Sequence, residues 1–264
     1  MKKIRVPDII KMKSEKVKIP VLTAYSRAMA RILDSSGIPV ILVGDSAGMV
    51  EAGYPTTLPV TVEEMIYHTA AVTRACVSAL VISDMPFMSY QVSVEEAVRN
   101  AGRLVKEGGA EAVKVEGGVK RAQVIKAVCN AEIPVMGHIG LTPQSVNRLG
   151  GYRVQGKDKL EAERLICDAR AVEEAGAFSI VLEGIPAELA GSITSLLSIP
   201  TIGIGAGPHC DGQVLVLNDM LGLGGITPRF VKRYANLDEA IRSAVLEYKK
   251  DVEQGKFPSR EHCY

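Results

Sequence analysis

The chain has 264 residues, 47% hydrophobic and 23% charged, with 31 basic side chains against 30 acidic ones. That length suits one α/β domain with a large core, and the near-zero charge leaves no electrostatic footprint for nucleic acid or an anionic membrane. No apolar run approaches the roughly 18–20 residues of a membrane span, and Met1-Lys2-Lys3-Ile4-Arg5 leads into Val6-Pro7-Asp8 rather than an apolar segment, so no signal peptide is expected. The five cysteines (Cys76, Cys129, Cys167, Cys210, Cys263) are scattered, odd in number and form no CxxC. They read as reduced thiols of a cytoplasmic protein. His209-Cys210 and His262-Cys263 are adjacent pairs without zinc-ligand spacing, so no zinc site is expected.

Residues 6–16 read as a short helix ahead of a first strand at 17–24. A helix over about 26–36 follows, closed by Gly37 and Pro39. Ile38 to Val43 is an aliphatic run without charge, the pattern of a strand buried on both faces of a parallel sheet, and it ends in Gly44, Asp45 and Ser46. A loop rich in Gly, Thr and Pro spans 48–59, and Thr61 caps a helix running to about 78. The third strand runs from Ala79 into Asp84. Ser93 caps the next helix, which Gly108-Gly109 ends, and the fourth strand, Ala112 to Val115, runs into Glu116.

A helix over 121–130 precedes strand five, 133–138, which ends at His138. Its outgoing loop, 140–156, is long. A helix over 159–175, strand six over 177–182 with Glu183 at its end, a helix over 186–198 and strand seven over 199–204 follow. Strand eight is placed at 213–217, with the intervening helix missing or very short, and a last helix at 237–254. The tail 255–258 reads as surface. Strands and helices alternate about eight times without a linker, which predicts one (β/α)8 barrel over residues 1–264 rather than an open sheet. Helical rows such as Ile66 with Ala70 and Val94 with Val98 read as core.

Asp45, Asp84 and Glu116 stand at the C-terminal ends of successive strands, where parallel α/β folds place their chemistry. Singly, each reads as well as a helix cap or loop acid. Together they form the oxygen-rich set that magnesium takes, with water and substrate completing its shell. Lys114, two residues before Glu116, projects to the same side of its strand. It is either a cation for a substrate carboxylate or a lysine paired for structure. His138 could donate to a ligand oxygen or be a satisfied core histidine. Glu183 could serve as a general base or be a surface acid. Gly203-Ile204-Gly205-Ala206-Gly207 reads equally as a phosphate-binding turn or a tight turn closing the barrel.

Ordered blocks along nearly the whole chain resemble the ketopantoate hydroxymethyltransferase family. They are Gly44-Asp45-Ser46, Thr56 to Thr61, Asp84 to Tyr90, Val113 to Gly118, Gly137 to Ser145, Gly150 to Gly156, Val181-Leu182-Glu183 and Gly203 to Gln213. The resemblance implies a barrel of the phosphoenolpyruvate/pyruvate type. It also implies hydroxymethyl transfer from 5,10-methylenetetrahydrofolate to 3-methyl-2-oxobutanoate, dependent on Mg2+, in pantothenate and coenzyme A biosynthesis. By the same resemblance Asp45, Asp84 and Glu116 form the metal site, in part through water. Asp45, Ser46, Asp84 and Lys114 hold the keto acid with His138 beside it, and Glu183 accepts the proton. A decamer of two pentameric rings is implied as well. Two positions depart from the family pattern: Ser26 stands where an acid is usual after the first strand, and Ala47 replaces a usual leucine. The rival readings are a C–C lyase or phosphonomutase on the same barrel, independent of folate, and a non-catalytic binding protein.

Overall fold

The computed structural model describes residues 2–224 and 228–264. Its contacts divide into two compact units, 1–216 and 217–264. In the first, eight strands form a closed barrel in chain order. They are β1 (Ile19–Thr23), β2 (Val40–Val43), β3 (Leu80–Asp84), β4 (Ala112–Glu116), β5 (Val135–Gly140), β6 (Ser179–Glu183), β7 (Thr201–Ile204) and β8 (Gly212–Leu215). Every neighbouring pair is parallel, including the closure of β8 on β1.

Side chains alternate along a strand, so every second residue enters the barrel. Val40, Leu42, Leu80, Ile82, Ala112, Met136, Val181, Ile202 and Val214 meet in one buried cluster. Ile9 of α1 (Val6–Ser14) belongs to the same cluster. The bond from the Ile4 N–H to the Ser78 carbonyl oxygen, 2.7 Å, holds the start of the chain at the N-terminal end of β3, so α1 closes that end of the barrel. Continuing the inward rows toward the other end brings Asp84, Lys114, Glu116, His138 and Glu183 to the same mouth. Register fixes the layer: Asp84 pairs with Lys114, and Glu116 with His138.

Around the barrel lie α2 (Arg27–Ser35), α3 (Ala47–Val50), α4 (Val62–Thr73), α5 (Val94–Lys106), α6 (Ala122–Asn130), α7 (Val146–Leu149), α8 (Lys159–Glu174) and α9 (Ala187–Leu196). The predicted caps are in place. Thr61 and Glu64 form a reciprocal capping box on α4, and Ser93 accepts the Glu96 N–H on α5. Ser26 is the N-cap of α2, its hydroxyl oxygen accepting the Met29 N–H at 3.4 Å.

The expected rows are displaced on two helices. Met65, Thr69 and Val72 are the buried row of α4, and Ala97, Ala101 and Leu104 that of α5. Ile66, Ala70, Val94 and Val98 are only half-buried. Helix α4 also stops at Thr73, short of 78. The loops expected at 48–59 and 140–156 contain α3 and α7, each about one turn long. β7 passes to β8 without a helix among these residues, as the short spacing required.

The second unit holds α10 (Leu217–Leu221) and α11 (Leu237–Glu253), of which α10 was not expected. Within it the Tyr234 N–H donates to the Met220 carbonyl oxygen at 2.8 Å. The Phe257 ring lies 5.7 Å from that of Tyr248 and 5.0 Å from that of His262. Residues 255–258 are exposed.

One buried acid far from the mouth is structural. Asp34, at the end of α2, accepts three backbone N–H groups from the turn entering β3: Val77 at 2.9 Å, Ser78 at 2.9 Å and Ala79 at 2.6 Å. Burial opposes its charge, but these bonds and Lys3 prevail and hold the carboxyl below its ordinary range. A lowered folded pKa supplies stability above the unfolded value, and that stability is lost as pH falls through the folded one. Asp34→Asn turns an amide N–H toward a backbone N–H and should cost about 1–3 kcal/mol in denaturant unfolding at neutral pH. The gap from the parent protein should close below the ordinary carboxylate pKa. A gap constant with pH would refute the assignment.

Candidate active site

Asp45, Asp84, Lys114, Glu116 and His138 are all no more than 5% exposed. Charges so far from water must pair or meet a counter-ion. Asp45 follows β2, Asp84 ends β3, Lys114 and Glu116 share β4, and His138 lies on β5. The Lys114 ammonium is 3.3 Å from Asp84 Oδ1 and 3.6 Å from Glu116 Oε1. Glu183 ends β6 with its side chain 15% exposed, and its Oε2 is 3.2 Å from His138 Nε2. Ser46 Oγ is 2.8 Å from the Tyr25 hydroxyl. The structure therefore gathers six of the seven candidates into one charged cluster, with Ser46 following Asp45 directly.

Three clustered carboxylates set the electrostatics. Burial raises the Asp45 pKa well above its ordinary value, and Asp84 and Glu116 add to the effect. Burial also raises Asp84, against the pull of Lys114 and the Asp45 N–H. Glu116 is lowered, because Lys114 and His138 overcome its burial. Lys114 is held more firmly protonated than an ordinary lysine: burial opposes the charge, but Asp84, Glu116 and Asp45 outweigh it.

His138 is pulled two ways. Burial and Lys114 disfavour its cation, yet Glu116 and Glu183 push it up to about 9. Lys114 Nζ is 3.1 Å from Nδ1, nearer than Glu116 Oε1 at 3.4 Å. An ammonium can only donate. While Lys114 donates there, Nδ1 is an acceptor; a protonated ring instead turns an Nδ1–H to Glu116 Oε1. The Nε2 contact is not a well-aligned hydrogen bond.

Each acid has one oxygen tied back by an N–H. Asp45 Oδ2 accepts from Gln144 Nε2 at 2.8 Å, Asp84 Oδ2 from the Asp45 N–H at 3.0 Å, and Glu116 Oε2 from the Gln144 N–H at 3.0 Å. Asp84 Oδ1 and Glu116 Oε1 are buried without a hydrogen bond. Hard oxygen donors, two orphan oxygens and three acids around one ammonium suit a divalent cation that keeps some of its water. Among the described residues no three His, Cys, Asp or Glu side chains are drawn into a closed metal cage.

The glycine run after β7 is a tight turn, with Gly205 and Gly207 at φ +60° and +75° and the Gly207 carbonyl oxygen taken by Gln213 Nε2 at 3.0 Å. A groove of about 370 Å³ lined by Leu58, Pro59, Phe87, Met88 and Arg103, among others, includes none of Asp45, Asp84, Glu116, Lys114 and His138.

Two further residues of the site carried no signal read from sequence. Gln144 and Tyr90 are buried and bonded to each other at 2.6 Å. Gly140 is a third position of consequence. Its φ is +96°, and an added Cβ would land on the Glu183 carbonyl oxygen, so glycine lets β5 pass beside the end of β6. Gly140→Ala should lower unfolding stability by about 1–3 kcal/mol through strain at this crossing. An unchanged denaturant midpoint would contradict it.

The family described as ketopantoate hydroxymethyltransferase matches residues 3–260. A 3-methyl-2-oxobutanoate hydroxymethyltransferase of Pelobacter propionicus is 61% identical over 264 residues, covering 100% of this chain and 98% of that one. One of Geobacter sulfurreducens is 60% identical over 258 residues, 97% of each chain. Among solved structures, a 2,3-dimethylmalate lyase of the PEP mutase/isocitrate lyase superfamily aligns with a TM-score of 0.63 at 17% identity, over 98% of this chain and 91% of that one. A phosphonopyruvate hydrolase in complex with oxalate and Mg++ aligns at 0.64 and 13%, over 98% and 93%. These two share the barrel fold. With its sequence matched from end to end, the chain belongs to the ketopantoate hydroxymethyltransferase family.

Proposed function

We propose that the chain transfers a hydroxymethyl group from 5,10-methylenetetrahydrofolate to 3-methyl-2-oxobutanoate, giving 2-dehydropantoate for pantothenate and coenzyme A synthesis. The observation that carries this reading is the buried cluster of Asp45, Asp84, Glu116, Lys114 and His138 with Glu183 facing it, in a chain of this family. Asp45, Asp84 and Glu116 would hold Mg2+, in part through water. Bound there, the ion would supply Lewis-acid stabilisation of the charge that develops on the keto acid.

The chain's own residues do the rest. Lys114, fixed and charged in a dry site, neutralises the substrate carboxylate where electrostatics are strongest. Ser46, Asp45 and Asp84 line the same bound acid, and His138 lies beside it, 3.2 Å from Glu183 Oε2. Glu183 takes the proton from C3. The C3 carbanion equivalent then bonds to the one-carbon unit of the donor, water supplies the hydroxyl, and tetrahydrofolate leaves. We further infer a cytoplasmic homodecamer of two pentameric rings; the five free cysteines accord with a reducing compartment. A sedimentation mass other than ten chains would overturn the assembly.

The test is product formation followed by mass spectrometry with keto acid, methylene donor and Mg2+, omitting each in turn. Formation of 2-dehydropantoate only when all three are present is expected. Folate-independent cleavage of a 2-oxo acid, without transfer, would replace this reading by the lyase one.

A further inference from the structure

The proposed reaction assigns nothing to Gln144, yet Gln144 is 5% exposed and sits amid the acids. It lies in the short turn Pro143–Ser145 that follows β5. Every hydrogen-bonding position of its amide is taken. Nε2 donates to Asp45 Oδ2 at 2.8 Å and to the Met85 carbonyl oxygen at 2.9 Å. Oε1 accepts from the Tyr90 hydroxyl at 2.6 Å and from Gln91 Nε2 at 3.3 Å. Its backbone N–H donates to Glu116 Oε2 at 3.0 Å.

One residue thus grips two acids that the sheet does not join, since β3 separates β2 from β4. The Met85 carbonyl oxygen and Asp45 Oδ2 take the Nε2 protons, which turns Oε1 to Tyr90, and the Tyr90 hydroxyl gives its proton to Oε1 at 2.6 Å while accepting the Glu116 N–H at 3.2 Å. Glutamine is suited to this place. Glutamate would set a carboxylate against Asp45 and the Met85 carbonyl, and an apolar side chain would strand the Tyr90 hydroxyl and Asp45 Oδ2.

We propose that Gln144, locked by Tyr90, is a positioning residue that ties back one oxygen of Asp45 and one of Glu116 so that the other oxygen of each serves the bound cation and keto acid. The inference rests on the proposed reading of those acids as cation-holding. It gives the Tyr90–Gln144 pair a role in affinity at a distance from the reacting atoms.

The test measures Mn2+ binding by electron paramagnetic resonance on the full chain without substrate. It also measures kcat and KM for the keto acid, in Gln144→Met, Tyr90→Phe and the double variant. Loss of a hydrogen bond to a charged group predicts Mn2+ binding about tenfold weaker in Gln144→Met, with a folded circular dichroism spectrum. Tyr90→Phe should weaken binding less, and most of its effect should vanish in the Gln144→Met background, since residues acting through one network are not additive. Parent-like Mn2+ affinity and kinetics in both single variants, with the parent binding Mn2+, would remove this inference alone. If Gln144→Met fails to fold, Tyr90→Phe, which keeps the ring, decides by the same readouts. A parent protein that binds no Mn2+ would remove the cation reading and this inference with it.

Discussion

Glu183→Gln is expected to lower the turnover of hydroxymethyl transfer by about a thousandfold, within the range found when a positioned general base is lost. The side chain ends β6 at the barrel mouth, 15% exposed, with Oε2 3.2 Å from His138 Nε2. Glutamine preserves the shape and the contact but cannot take a proton. Glu183 is assigned proton removal, whereas Lys114, Asp84 and Asp45 are assigned binding of the keto acid. KM for the keto acid should therefore change far less than kcat, as expected when an interaction used in the transition state is removed. Near-normal turnover would mean that another group removes the C3 proton.

Asp84→Ala should fail earlier, at binding. Asp84 joins the two halves of the site: Oδ2 accepts the Asp45 N–H at 3.0 Å and Oδ1 is 3.3 Å from Lys114. Removing it frees the Asp45 backbone, strips Lys114 of its nearest carboxylate, and takes one acid from the cation. Truncating one member of a buried, hydrogen-bonded charge pair costs about 3 kcal/mol, roughly a hundredfold in affinity. Mg2+ and keto-acid affinity should fall together by that factor in calorimetric titrations. Strand pairing is a backbone property, so the barrel should persist in circular dichroism. Intact binding of both ligands would refute the role given to Asp84.

Much of this site is legible in the primary structure, for a simple reason. A parallel barrel strand is a short aliphatic run that stops at the mouth, so Asp84, Glu116 and Glu183 announce themselves as the polar residues that end such runs. Two-residue alternation then puts Lys114 beside Glu116 without further information. Gln144 and Tyr90 escape this logic. They lie in loops, where no period applies, and Gln144 meets partners 99 and 54 residues away in Asp45 and Tyr90. Gln144 stands inside a block that resembles the family, but resemblance gave it no role. Helices α3 and α7 escape for another reason: four residues are about one turn, too few to show a repeat. On α4 and α5 the helix was legible but its buried row was not. Which adjacent row turns inward depends on how the helix lies on the barrel, and the row is Met65 with Thr69 rather than Ile66 with Ala70.

Removal of the C3 proton of 3-methyl-2-oxobutanoate at this mouth can be followed by proton NMR of that acid in D2O with the purified chain. The C3 proton signal should be lost only with both protein and Mg2+ present, before any product forms and without a methylene donor. A signal that persists with Mg2+, both alone and with a folate analogue bound, would contradict it.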